Sequence, residues 1–110
     1  MAYQNLIVED AGAIRTITIN RPAVLNALDE STLEELTAAF LDIEATPDYG
    51  VRCVIITGAG PKAFVAGADI VAMGEMGPDR ARAFAAAGHR LGDIMEGLHA
   101  PVIAAVNGFA

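Results

Sequence analysis

The run Val51 to Thr57, with Cys53-Val54-Ile55-Ile56 unbroken by a polar residue, constrains this chain's fold more than any other segment. Its unbroken apolarity predicts a strand buried on both faces, and so the centre of the fold. Gly58-Ala59-Gly60-Pro61 follows as a turn, and helical segments come next. Pro101 then introduces a last strand, Val102 to Val106, closed by the turn signal Asn107-Gly108. The order strand, helices, strand predicts a parallel right-handed crossover and an α/β fold.

The flanking segments fit the same architecture. Ile14 to Ile19 alternates with the period of a half-buried strand, and Leu6 to Glu9 precedes it across Asp10-Ala11-Gly12, which predicts an N-terminal hairpin. Asn20-Arg21-Pro22 ends the second strand, because proline cannot donate to a ladder, and a loop follows to about Leu28. Asp29 is placed as the N-cap of a helix whose inward face is Leu33, Leu36, Phe40 and Ile43, and Thr46-Pro47 stops it. A short helix to about Met73 is broken by Gly74 and Gly77-Pro78. A longer one then starts at Pro78 with the stripe Phe84, Ala87, Leu91, Ile94 or Met95, and Leu98. No linker or internal repeat divides residues 1–110.

Composition narrows the functions. Hydrophobic residues make up 54% of the chain before its 11 glycines are counted, against roughly 45–50% for an ordinary soluble domain with glycine included. Another segment or a second subunit is therefore expected to cover part of the surface. A formal charge of −7 and a pI near 4.5 exclude a nucleic-acid partner, whose affinity comes from Lys and Arg. An anionic ligand would have to be met locally, by main-chain dipoles and by single cations such as Arg21 or Lys62. Cys53 is the lone cysteine, so neither an intramolecular disulfide nor a cysteine-rich metal site is expected, and a cytoplasmic setting fits. No leader pattern and no membrane-spanning apolar run is present in the sequence.

The chemistry concentrates in Ala63-Phe64-Val65-Ala66-Gly67-Ala68-Asp69-Ile70. Small residues at Ala66, Gly67 and Ala68 let a ligand carbonyl approach the main chain, and the Ala68 N–H falls at a helix start, where donors are unpaired. Such a donor stabilises a developing oxyanion. Asp69 reads first as the cap of that helix. Gly58-Ala59-Gly60-Pro61-Lys62-Ala63 is a loose dinucleotide fingerprint, with Pro61 where the helix should begin. His89, His99, Glu75 and Glu96 have no partners at catalytic or metal-ligand spacing, so no metal site is expected. Met95 suits the core, whereas Met73 and Met76 suit core and pocket equally.

Asn20-Arg21-Pro22 with Asn26-Ala27-Leu28, then Ala63 to Ile70, then Pro101-Val102-Ile103-Ala104-Ala105-Val106-Asn107-Gly108-Phe109-Ala110, together resemble the enoyl-CoA hydratase/isomerase, or crotonase, superfamily. The resemblance implies a crotonase-like spiral of ββα units, of which residues 1–110 would be the N-terminal part of a single domain. It also implies an acyl-CoA thioester as substrate, no cofactor beyond the coenzyme A that the substrate carries, and a homo-oligomer, trimer or hexamer, at full length. Ala68 would be the first oxyanion donor, and Ala23, Val24, Leu25, Ala27, Ala66, Asp69 and Ile70 would line the coenzyme A site. Many hydratases carry a lysine at the position of Ala23, and its replacement leaves Lys62 or a residue from elsewhere to meet the phosphates. The second donor and the paired glutamates would follow Ala110, so hydration of a 2-enoyl-CoA is expected of the full-length protein and little of these residues alone. The alternatives are another activity of that superfamily, such as isomerisation, and a non-catalytic coenzyme A-binding or assembly module.

Overall fold

The computed structural model describes residues 2–46 and 50–110. Its elements are β1 (Leu6–Ala11), β2 (Ile14–Ile19), a 3-10 turn (Pro22–Val24), α1 (Glu30–Ala45), β3 (Cys53–Gly58), α2 (Ile70–Gly74), α3 (Pro78–Glu96) and β4 (Val102–Ala105). The sheet order is β1-β2-β3-β4, with β1 antiparallel to β2 and both later pairings parallel. The expected hairpin and the strand-helices-strand unit are both present.

The hairpin is longer and its turn tighter than the sequence suggests. Pairing runs from Leu6 opposite Ile19 to Ala11 opposite Ile14, which leaves Gly12 and Ala13 as the connection. Gly12 has φ +60°, a value glycine takes without strain. Asp10 sits opposite Arg15 in the ladder, and the two form a 2.8 Å ion pair that extends the strands past Glu9.

α1 forms as its pattern predicts. The Asp29 carboxylate accepts from the Thr32 N–H at 2.9 Å and from the Thr32 hydroxyl at 2.6 Å, closing the first turn. Leu33, Leu36, Ala39, Phe40 and Ile43 are buried against Leu6, Ile17, Ile19 and Val54 of the sheet. The Thr46 N–H closes the helix on the Ile43 carbonyl, while Pro47 lies outside the described residues. α3 packs beside α1 with Leu91 buried and Phe84, Ala87, Ile94, Met95 and Leu98 half-buried around it.

The central strand departs from expectation. Val54 and Ile56 face the helices, but Cys53, Ile55 and Thr57 share the opposite face of the sheet with Ile7, Ile14 and Ile103, and no described element covers it. The apolar run of β3 thus serves two faces, of which the helices bury one. Ile7, Ile14 and Ile103 are exposed on the other.

Candidate functional site

The site forms where the loop after β2 meets the loop after β3. The Ala66 N–H donates to the Leu25 carbonyl at 3.1 Å, the Leu28 N–H to Gly67 at 2.9 Å and the Asp69 N–H to Leu28 at 2.7 Å. Together these bonds make a short parallel seam with Leu28 opposite Ala68. In a parallel bridge the bonds run from one residue to both neighbours of its partner, so the partner's own N–H points away from the seam. Ala68 is that partner: it is exposed, and its N–H meets no acceptor among the described residues. Gly67 just before it has φ +133°, a conformation that residues with side chains rarely adopt.

Two asparagines hold this loop from opposite ends of the chain. Asn26 is fully buried: its Oδ1 accepts from the Arg21 N–H at 2.8 Å, and its Nδ2 donates to the Ala59 and Ala63 carbonyls at 3.0 Å each. The Asn107 Nδ2 donates to the same Ala63 carbonyl at 3.1 Å and to Gly60 at 3.2 Å, while its Oδ1 accepts from the Gly58 N–H at 3.1 Å. The Phe64 N–H donates to Phe109, and the Phe109 N–H returns to Lys62, so the last residues of the chain pair along the loop. Gly58 and Gly108 permit the approach, because a Cβ on either would lie 2.3 Å from a carbonyl oxygen, that of Phe64 or of Lys62. Residues 59–69 therefore form an irregular loop, and no helix begins before Ile70, which leaves the dinucleotide fingerprint without its helix.

Arg21 is a correction. The sequence offers it as a local cation for an anionic ligand, but its guanidinium donates to the Ala27 carbonyl and lies 3.3 Å from the Asp29 carboxylate and 3.2 Å from that of Asp69. Only 18% of its side chain is exposed. Asp69 in turn caps α2, accepting from the Ala72 N–H at 3.1 Å. That bond first, and then Arg21, holds the Asp69 carboxyl below the usual carboxylate range against the opposing effect of desolvation. Burial works against ionisation of Asp29 as well, but its bonds from Thr32 and the charge of Arg21 prevail and lower its pKa.

The other residues singled out fall around the seam. Ala23 and Val24 lie in the 3-10 turn, and Leu25 follows it with φ +56°. All three are exposed, as are Ala66 and Lys62, while Ala27 is half-buried. Leu25 and Lys62 share a pocket of about 220 Å³ with Pro22 and Asn26. Ile70, 83% exposed, projects from the start of α2. On the other side of the seam Leu28 and Val65 border an apolar cavity of about 790 Å³, with Leu91, Met95, Leu98 and Ala104 among its walls. Ala68 is not one of those walls, so this cavity and the candidate donor are neighbours, not one site. Met95 lines the cavity from the edge of the core; Met73 is exposed, and neither it nor Met76 borders the cavity or joins the core. Glu96 and His99 sit at the cavity rim, whereas Glu75 and His89 are exposed away from it.

Asn26, Asn107 and the bridging role of Arg21 were not legible as site features. The asparagine amides are satisfied by loop carbonyls 33 to 47 residues away, and no periodic pattern marks such partners.

Comparison with known proteins yields consistent matches. The family model described as enoyl-CoA hydratase/isomerase matches residues 9–110. The short-chain-enoyl-CoA hydratase of Clostridium acetobutylicum is 48% identical over 110 residues, covering 100% of this chain and 41% of the relative. The crotonyl-CoA hydratase of Syntrophomonas wolfei is 44% identical over 110 residues, covering 100% of this chain and 42% of the relative. Among solved structures, an enoyl-CoA hydratase from Bacillus anthracis superposes with a TM-score of 0.90 at 36% identity, over 96% of this chain and 40% of that one. The chain thus spans about two fifths of the length of the relatives it matches.

Proposed function

Since the chain belongs to the enoyl-CoA hydratase/isomerase family, we propose that the full-length protein adds water to the double bond of a 2-enoyl-CoA, and that the Ala68 N–H is one of two donors to the thioester oxygen. The observation that carries this reading is the seam: Gly67 accepts from the Leu28 N–H and Asp69 donates to the Leu28 carbonyl, so both neighbours of Ala68 are tied to Leu28 and the Ala68 N–H is left pointing outward without an acceptor among the described residues. Polarising the thioester carbonyl draws charge onto oxygen and makes the β-carbon electrophilic toward water. A fixed main-chain dipole does this without reorganising during the reaction.

The substrate's coenzyme A runs along the exposed side of the seam, past Ala23, Val24, Leu25 and Ala27 on one loop and Ala66, Asp69 and Ile70 on the other. Lys62, next to Leu25 in the small pocket, supplies a cation for its phosphates. The second oxyanion donor and the acid-base carboxylates come from residues after Ala110, within the same domain. Arg21 contributes no charge to the ligand, because two aspartates neutralise it. The full-length protein assembles as a trimer or hexamer, which the apolar surplus of this segment supports. Its unpaired cysteine, Cys53, suits the cytoplasm.

The test replaces one hydrogen. In the full-length protein Ala68→Pro removes the N–H, and Ala68→Gly keeps it. Hydration of a short 2-enoyl-CoA, followed by loss of enoyl absorbance, should fall by about 10²–10³-fold in kcat for the proline variant and stay close to wild type for the glycine variant. A folded proline variant with wild-type turnover would show that another group holds the oxyanion.

A further inference from the structure

We propose that Arg21 is the positioning residue for the Ala68 N–H, an inference that rests on the oxyanion reading above. The seam that presents Ala68 contains three main-chain bonds, to Leu25 and Leu28, which is little to fix a donor within a few tenths of an ångström. Arg21 reinforces it from the side. The guanidinium takes the Ala27 carbonyl, one residue before Leu28, and the Asp69 carboxylate, one residue after Ala68. Its other arm reaches Asp29, the cap of α1. One half-buried fork thus joins both edges of the seam and the starts of the two helices that leave it.

Physical chemistry explains why the fork matters. Asp29 and Asp69 both lie within 3.3 Å of the same guanidinium, so without it two carboxylates face each other and the Ala27 carbonyl loses its donor. Repulsion then pulls at the two loops from the seam outward. Lysine is a compact point charge and cannot span three acceptors as the planar fork does. Donor alignment sets how much an oxyanion gains, and a displacement of about 1 Å can cost about 10²-fold.

The experiment uses the full-length protein and a conjugated aryl-acryloyl thioester of coenzyme A, whose absorbance moves to the red when its carbonyl oxygen is polarised. With Arg21→Gln saturated by this probe, most of the red shift should vanish, and for a short 2-enoyl-CoA kcat should fall about 10–100-fold while KM changes less than about threefold. Arg21→Lys should restore part of both. Asp69→Asn keeps a capping acceptor but loses the ion pair; it should lose part of the red shift, and adding Arg21→Gln to it should remove little more. A folded Arg21→Gln with the full red shift and wild-type kcat overturns the proposal. If Arg21→Gln does not fold, Asp69→Asn decides it: an unchanged red shift overturns the role and a diminished one supports it. A wild-type protein that neither shifts the probe nor hydrates an enoyl thioester sinks the oxyanion reading, and the role of Arg21 with it.

Discussion

At the scale of single residues, the candidate site is held by polar side chains, of which Asn26 is wholly shut off from solvent. Asn26 makes three hydrogen bonds at zero exposure, so Asn26→Ala leaves the Arg21 N–H and the Ala59 carbonyl without a partner and the Ala63 carbonyl with Asn107 alone. At ~1–3 kcal/mol for each unsatisfied group, the loss should be about 2 kcal/mol or more. Asn107 shares the Ala63 carbonyl but is exposed, and water can replace it; Asn107→Ala should cost nearer 1 kcal/mol. Urea unfolding of both variants checks the ranking, which fails if the midpoints move equally. The sequence offered Asn26 as part of a motif and Asn107 as a turn, and left their shared acceptor hidden. Arg21 was misread for a related reason. Its partner Asp69 is 48 residues away, outside any helical or ladder spacing that would reveal a pair.

At the scale of elements, helices and strands were legible where local pattern decides them. α1 follows its cap and its stripe, because Asp29 and the spacing Leu33, Leu36, Phe40, Ile43 need only a sheet to pack on. Its cap also carries a pH dependence. Asp29 and Asp69 are both held below the usual carboxylate range when folded, so the unfolded chain binds their protons more readily. Their stabilisation is complete above the unfolded-state pKa and is lost as pH falls through the lower, folded value. The unfolding temperature of the full-length protein should therefore drop as the pH goes below about 4. Asp29→Asn, which keeps a capping oxygen, should flatten that drop, whereas Asp29→Ala should also cost about 1 kcal/mol at neutral pH. An unaltered acid profile in Asp29→Asn would show that other carboxylates set it. The seam between the two loops was not legible, since three bonds between irregular segments leave no periodicity to read.

At the scale of the whole chain, the sheet explains the apolar excess in the composition. This is the N-terminal part of the crotonase fold, and one sheet face bears Ile7, Ile14 and Ile103 in the open, with Val106 and Phe109 exposed just beyond. The sequence foresaw a covered central strand, because pattern reports apolarity and not which partner supplies the cover. Produced alone, residues 1–110 should bind a hydrophobic dye and elute from a sizing column above the monomer position. They should also hydrate a short enoyl-CoA little or not at all. Dye-free, monomeric behaviour or enzyme-like turnover would contradict these expectations.

The carbonyl of Ala63 takes its two amide donors from residues 37 positions earlier and 44 positions later. During synthesis the first clasp can close as soon as the loop emerges, but the second must wait until Asn107 has left the ribosome. Until then the loop on a nascent chain is tethered on one side only, and its second clasp closes late in translation of this segment, after the four strands of the described sheet have been made.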